Sequence, residues 1–184
     1  MIINLRGTSG AGKSTIVKNI MDRFGTREPF FVSNRKRPLG YVCYRPGQRS
    51  LGIVGHYEIA CGGCDTISQM GDVFGEVRRL HAAGLDVLFE GAIVSTLARD
   101  VIELHQEGYP LSVVSLNTPL EDCLKGIQAR RDARNDDRPL NPLTTTRKFA
   151  SVKSTHRKFE AAGVPAIWAT RDEAEAFIVG ALGL

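Results

Sequence analysis

Apolar residues follow two rhythms along this 184-residue chain. Short, nearly unbroken runs at Ile2-Ile3-Asn4-Leu5, Val87-Leu88-Phe89 and Leu111 to Leu116 read as strands buried on both faces. Between them, helical spacing groups Ile16, Val17, Ile20, Met21 and Phe24, then Ile67, Met70, Val73, Phe74, Val77 and Leu80. Later stripes join Leu120, Cys123, Leu124 and Ile127, then Phe149, Val152, His156 and Phe159. Gly25, Gly84, Gly108 and Gly163 stand where helices should stop. A helix from about Ser95 to Glu107, a strand from Pro165 to Thr170 and a terminal helix from Asp172 complete the set. Phe30-Phe31-Val32 predicts one more strand, and Tyr41 to Tyr44 and Leu51 to Gly55 predict a β-hairpin turning at Arg45-Pro46-Gly47-Gln48-Arg49. Strands alternating with helices specify an α/β domain over residues 1–184, with a parallel five-stranded sheet flanked by helices. The hairpin reads as a small insertion.

Composition narrows the class. A hydrophobic share of 42% and a charged share of 24% suit one globular core. The net charge of +4 and pI near 9.0 are compatible with a polyanionic partner. No run approaches the ~18 apolar residues of a membrane span. Four unevenly spaced cysteines, with the first strand starting at the N-terminus, lead us to expect no leader peptide and a reducing cytoplasm.

Gly7-Thr8-Ser9-Gly10-Ala11-Gly12-Lys13-Ser14, followed by Thr15, changes the picture most. It fits the pattern G-x-x-x-x-G-K-S/T and lies between a predicted strand and a predicted helix, as that pattern requires. Glycines let successive N–H groups face one anion, and the helix N-terminus adds free donors. This makes the fold one of the P-loop NTPase type. Gly7, Ser9, Gly10, Ala11, Gly12, Lys13, Ser14 and Thr15 are the candidate residues for binding ATP. Lys13 would reach the β- and γ-phosphates, and the Ser14 hydroxyl would ligate Mg²⁺.

Three further groups carry candidate chemistry. Glu90 ends a core strand, where it would hold Mg²⁺ with Ser14 or act as a base. Asp65 follows a Gly-Gly bend; it is either the general base for a hydroxyl acceptor or a helix cap. Arg130, Arg131, Arg134 and Arg138 are placed to close over phosphates, with Arg130 and Arg134 as catalytic candidates and Arg131 as a nucleotide contact; the plainer alternative pairs them with Asp132, Asp136 and Asp137. Arg35, Lys36, Arg37, Arg45 and Arg49, with Tyr41, Tyr44 and Tyr57 nearby, suit contact with nucleotide or DNA, and Arg35, Arg37, Arg45, Tyr57 and Asp65 are the candidate acceptor contacts. A solvated hairpin edge is the duller reading. Cys61-Gly62-Gly63-Cys64 with His56 falls short of a four-ligand zinc site, so a tight loop with packed thiols is preferred.

On these residues the chain resembles the small P-loop kinases of the nucleoside-monophosphate-kinase type. Glu90-Gly91 is similar to the acid-Gly ending in uridine-kinase-like enzymes, Arg130 to Arg138 resembles the mobile lid (about 130–142), and Ala169-Thr170-Arg171 resembles the wall near adenine. The segment Gly55 to Ile67 is unlike the usual monophosphate-binding module; it resembles bacteriophage nucleotide kinases, among them enzymes that phosphorylate 5-hydroxymethyl groups of pyrimidines in DNA. That resemblance implies an ATP/Mg²⁺-dependent phosphotransferase, an acceptor-binding insertion at about 28–66, and a hydroxyl such as that of 5-hydroxymethyluracil in DNA as acceptor. A free nucleoside or nucleoside-monophosphate kinase is the first alternative, and a nucleotide-driven switch the second.

Overall fold

A computed structural model describes residues 1–32, 35–59 and 62–184. Its core is a sheet with strand order β2-β3-β4-β5-β1-β6-β7. Central β1 (Ile2–Arg6) pairs in parallel with β5 (Asp86–Glu90) on one side and β6 (Leu111–Leu116) on the other. β7 (Ala166–Ala169) and β4 (Leu51–Val54) extend the parallel set at either flank. β3 (Gly40–Tyr44) and β2 (Thr26–Phe30) then add antiparallel strands beyond β4. The expected five parallel strands are therefore part of a seven-stranded sheet. The hairpin is no separate insertion, because β4 is hydrogen-bonded to β5 and belongs to the main sheet.

Two local expectations also shift. The edge strand lies at Thr26–Phe30, not Phe30 to Val32, and its polar sequence with Pro29 carried no apolar signature. Phe31 and Val32 lie beyond it and are exposed. The helix expected from Ser95 is broken into a 3-10 turn at Val94–Thr96 and α3 (Arg99–Gln106).

Helices cover both faces. α1 (Lys13–Asp22) and α6 (Arg171–Leu182) pack against Ile3, Leu5 and Leu88 on one side. On the other, α2 (Met70–Ala82), α3 and the long α5 (Pro142–Ala161) close over Ile2, Val87, Phe89 and Val113. α4 (Leu120–Asp132) buries Cys123 at the end of the first core. Full burial of such a side chain contributes about 1.5–3 kcal/mol, so these two cores fix the sheet and the loops at its ends. His156 lies in α5 with Nδ1 2.8 Å from the Ser115 hydroxyl and its ring against Trp168.

All five parallel strands deliver their carboxyl ends to one edge of the sheet. That edge receives the glycine loop after β1, Glu90 at the end of β5 and Arg171 after β7.

Candidate functional site

Residues 7–12 leave β1 and turn back into α1, with Gly10 at φ 83° and Gly12 at φ 100°, a region that favours glycine. A Cβ on Gly10 would lie 2.0 Å from the Cys123 carbonyl oxygen, and one on Gly126 would lie 2.8 Å from the Gly10 oxygen. The glycine loop is thus floored by the backbone of α4. Lys13 curls under it, its ammonium donating to the carbonyls of Gly7 at 2.9 Å and Thr8 at 3.2 Å. Lys13 Nζ is also 3.9 Å from Glu90 Oε2, and the Ser14 hydroxyl donates to Glu90 Oε1 at 2.7 Å.

Lys13 and Glu90 are nearly sealed from solvent, at 6% and 2% exposure. Burial pushes the Lys13 pKa down, against the pull of Glu90, and pushes the Glu90 pKa up, against the pull of Lys13 and Ser14. Gly7 and Ala11 serve through their backbones. The Gly7 N–H donates to Ser95 Oγ, and the Ala11 carbonyl accepts from Thr118 and Arg171.

A cavity of about 580 Å³ opens above this loop. Ser9, Gly10, Gly12, Ser14 and Thr15 form its floor, Asp65 and Glu90 one wall, and Arg130, Arg131, Arg134 and Arg138 another. The structure therefore brings the arginine-rich segment over the glycine loop. Within it Arg131 Nη1 donates to the Arg138 carbonyl, and Arg138 forms a two-pronged pair with Asp136 at 2.6 and 2.7 Å. That pair holds the Asp136 carboxyl well below the usual carboxylate range. One of the anticipated Asp–Arg pairings therefore coexists with the arginine-lined wall.

The acceptor-side residues divide. Asp65 accepts from the backbone N–H of Ala92 at 2.7 Å and of Ile93 at 2.9 Å. It caps the loop after β5, not its own helix. Each oxygen keeps a second lone pair, and the side chain lines the cavity. Gly63, at φ 81°, makes room for Glu90: a Cβ there would sit 2.5 Å from Oε1. Only Gly62 of the Gly-Gly bend reaches the cavity wall.

Tyr57 does not present a stacking face, being 6% exposed and packed in the core beside Glu90. Burial and the Glu90 charge push its phenol well above the usual tyrosine range. Arg35 donates to the Thr66 carbonyl at 3.2 Å and Arg37 is exposed, both at the cavity edge of the sheet. Arg45 lies elsewhere. β3 and β4 are antiparallel, so their connection falls at the opposite edge, where Gln48 donates to the Gly183 carbonyl and Arg49 lies 3.5 Å from Asp86. The contact expected of Arg45 is thus contradicted by topology. Cys64 is a buried free thiol donating to the Val54 carbonyl, whereas Cys61 lies outside the described residues.

Thr144, Thr145, Lys148 and Arg6 were missed by sequence reasoning, and Arg171 and His56 take places it did not give them. Arg171 lies across Gly12, its Nε 2.9 Å from the Ala11 oxygen, and lines the cavity together with Thr144, Thr145 and Lys148 of α5. Its place at the exit of β7 was visible in the sequence, but its reach back to the glycine loop was not. Arg6 is fully buried with no carboxylate partner among the described residues; it donates to Asn4 Oδ1 and the Leu97 carbonyl, both at 2.7 Å, and covers the Phe159 ring. Burial lowers its pKa to about 9. His56 is also buried, with neither ring nitrogen hydrogen-bonded among the described residues, and burial lowers its pKa.

The donor set suits a triphosphate and a hard cation: N–H groups on a tight loop, one ammonium, and a hydroxyl beside a carboxylate. The family model described as 5-hmdU DNA kinase matches residues 1–178. A 5-hmdU DNA kinase of Pseudomonas phage PaMx11 is 44% identical over 94% of this chain and 92% of its own length. A 5-hmdU DNA kinase of Delftia phage PhiW-14 is 29% identical, over 93% of this chain and 68% of that protein. Among solved structures, one from the PezAT chromosomal toxin–antitoxin system of Streptococcus pneumoniae aligns with a TM-score of 0.55 at 18% identity, over 94% of this chain and 69% of that one, a likeness of fold alone.

Proposed function

Because this chain belongs to the 5-hmdU DNA kinase family, we propose that it moves the γ-phosphoryl group of ATP to the hydroxymethyl oxygen of 5-hydroxymethyldeoxyuridine in DNA. One observation favours a hydroxyl acceptor: Asp65 is an exposed carboxylate at the cavity wall, fixed by two backbone N–H groups, with lone pairs to spare. A phosphate acceptor is already anionic and needs no base, whereas a hydroxyl benefits from a carboxylate within hydrogen-bond reach.

In this reading the amides of Ser9 to Ser14 and the Lys13 ammonium bind the donor phosphates, which requires Lys13 to exchange its carbonyl partners for phosphate oxygens. Ser14 and Glu90 would hold Mg²⁺, which, when bound, offsets the charge of the β- and γ-phosphates. Asp65 takes the hydroxyl proton as the oxygen bonds to the γ-phosphorus and the bridge to the β-phosphate breaks, releasing ADP. Arg130, Arg131 and Arg134 close over the transferring group as a lid. Arg35 and Arg37 flank the acceptor entry. Thr118, Thr170 and Arg171 line a neighbouring cleft suited to the donor base.

The test incubates γ-labelled ATP and Mg²⁺ with wild-type or Lys13→Ala protein. The acceptors are a 5-hydroxymethyldeoxyuridine duplex, an ordinary duplex, and mixed free nucleosides and monophosphates. Label on internal bases of the modified duplex, lost in Lys13→Ala, is the expected result. Label confined to free nucleosides or monophosphates, or phosphate released to water with every acceptor unlabelled, overturns it.

A further inference from the structure

The chain's net charge is concentrated on one helix. α5 carries Arg147, Lys148, Lys153, Arg157 and Lys158, five of the 24 Lys and Arg, against Glu160, one of the 20 Asp and Glu. That leaves 19 of each sign elsewhere, so the excess on α5 equals the +4 of the whole chain.

The charge is also sorted by face. Thr145, Val152, Thr155, His156 and Phe159 are buried, while Arg147, Lys153, Arg157 and Lys158 are exposed on the opposite side. Helical geometry puts these four in a band on one side of the helix, because steps of ~100° per residue bring 147, 153, 157 and 158 within an arc of about 140°. None of the four has an ion pair or hydrogen bond among the described residues; Lys153 only covers the Phe149 ring. Elsewhere exposed arginines are largely matched, as in Arg99 with Glu103 and Arg138 with Asp136. Unmatched like charges along a helix repel one another, so the band is no stability device.

α5 is placed to meet something that enters the cavity. Thr144, Thr145 and Lys148 line the cavity, and Thr155 lies 3.5 Å from the Thr96 carbonyl, in the loop that Asp65 caps. The helix therefore starts at the mouth and runs away from it, the basic band leading outward. From Arg147 to Lys158 the rise is about 16 Å, the axial length of roughly five base-pair steps.

We infer that the exposed face of α5 is the surface that holds the phosphate backbone of the DNA whose modified base occupies the cavity. The inference rests on the DNA-kinase reading. In that reading the cavity arginines are taken up by the donor phosphates, so the contacts that hold the rest of the duplex come from outside the cavity, where α5 offers unmatched positive charge. Such contacts position the duplex without reading its sequence.

The triple variant Lys153→Gln/Arg157→Gln/Lys158→Gln tests this, with Arg147 kept because its neighbour Lys148 lines the cavity. Binding of a modified duplex and of an unmodified one is titrated at several salt concentrations, alongside kcat and KM on the modified duplex. Loss of three phosphate contacts should flatten the slope of log affinity against log salt by about 2.7. Raising salt from ~50 to ~200 mM would then weaken the wild type about 40-fold more than the variant, on either duplex. KM for DNA should rise with kcat at saturation unchanged. Equal slopes and equal KM values, in a wild type that does label DNA, overturn the α5 assignment alone. A wild type that labels no DNA overturns the DNA-kinase reading instead. The double variant Arg157→Gln/Lys158→Gln should give about two-thirds of the slope change, and a slope change confined to a variant with a lowered melting temperature counts against the surface.

Discussion

The two ends of strand β4 make an instructive pair. At its carboxyl end the chain passes through His56 and Tyr57 to Asp65, which lines the cavity and fixes the loop after β5. At its amino end sits the turn with Arg45 and Arg49, where Arg49 lies beside Asp86 and Gln48 donates to the Gly183 carbonyl. A strand of four residues separates them, on the order of 13 Å, and that distance decides which end can take part in chemistry. Residue type alone does not assign a role; the direction of the strand does.

That contrast can be broken at several levels. Lys13→Ala removes the buried ammonium from the carboxyl edge and should lower kcat/KM for phosphoryl transfer by about a thousandfold or more. Steady-state transfer of labelled phosphate reads this directly; a loss below tenfold would remove Lys13 from the reaction. Asp65→Asn should lower kcat about 100- to 10,000-fold while KM for ATP stays close to wild type, because its role is on the acceptor proton. A melting scan accompanies it, since Asn also weakens the cap on Ala92 and Ile93. If activity drops only in proportion to the folded fraction, Asp65 is a loop anchor and no base.

Glu90 sharpens the picture through pH. Its pKa is raised above the ordinary value of 4.5, first by burial, and its ionised form is the one that can share a cation with Ser14. Activity should therefore fall as pH drops through that raised pKa, at a higher pH than an ordinary glutamate would impose. The stability effect has the opposite sign. A carboxyl that holds its proton more tightly when folded carries its cost at neutral pH and loses that cost as pH falls through the folded pKa. Glu90→Gln should abolish both trends, which kcat–pH profiles and urea unfolding at two pH values would show. At the bottom of the scale, Arg45→Ala with Arg49→Ala should change kcat/KM on DNA less than about twofold and stability by about 0.5 kcal/mol or less. A tenfold rise in KM would return the turn to the substrate path.

Much of this site was legible in the chain because its signals are local. The glycine loop carries its own turn, cation and helix start in eight consecutive residues, and Glu90 is named by closing a strand. Strand β2 was displaced because an edge strand of alternating charge and proline has no apolar rhythm. Tyr57 was expected to stack on a base, yet burial decides its place, and burial depends on β3, β4 and Glu90 together. Arg45 went wrong for a global reason: only the parallel pairing of β4 with β5 shows that the turn faces the other edge. The basic face of α5 hid behind the apolar stripe that identified the helix, though the same periodicity carries both. Arg6 and Arg171 act across 91 and 160 residues, a separation no local pattern bridges.

Gly126 sits in the interior of α4, where helix propensity alone would favour alanine by about 1 kcal/mol. Against the Gly10 carbonyl there is no room for even that methyl group. The loop that cradles phosphate is thus cast in a mould formed by another helix, and its shape does not wait for the nucleotide to impose it. The same helix carries Arg130 and Arg131 in its last turn, so one rigid element both floors the glycine loop and sets where the arginine-lined wall begins.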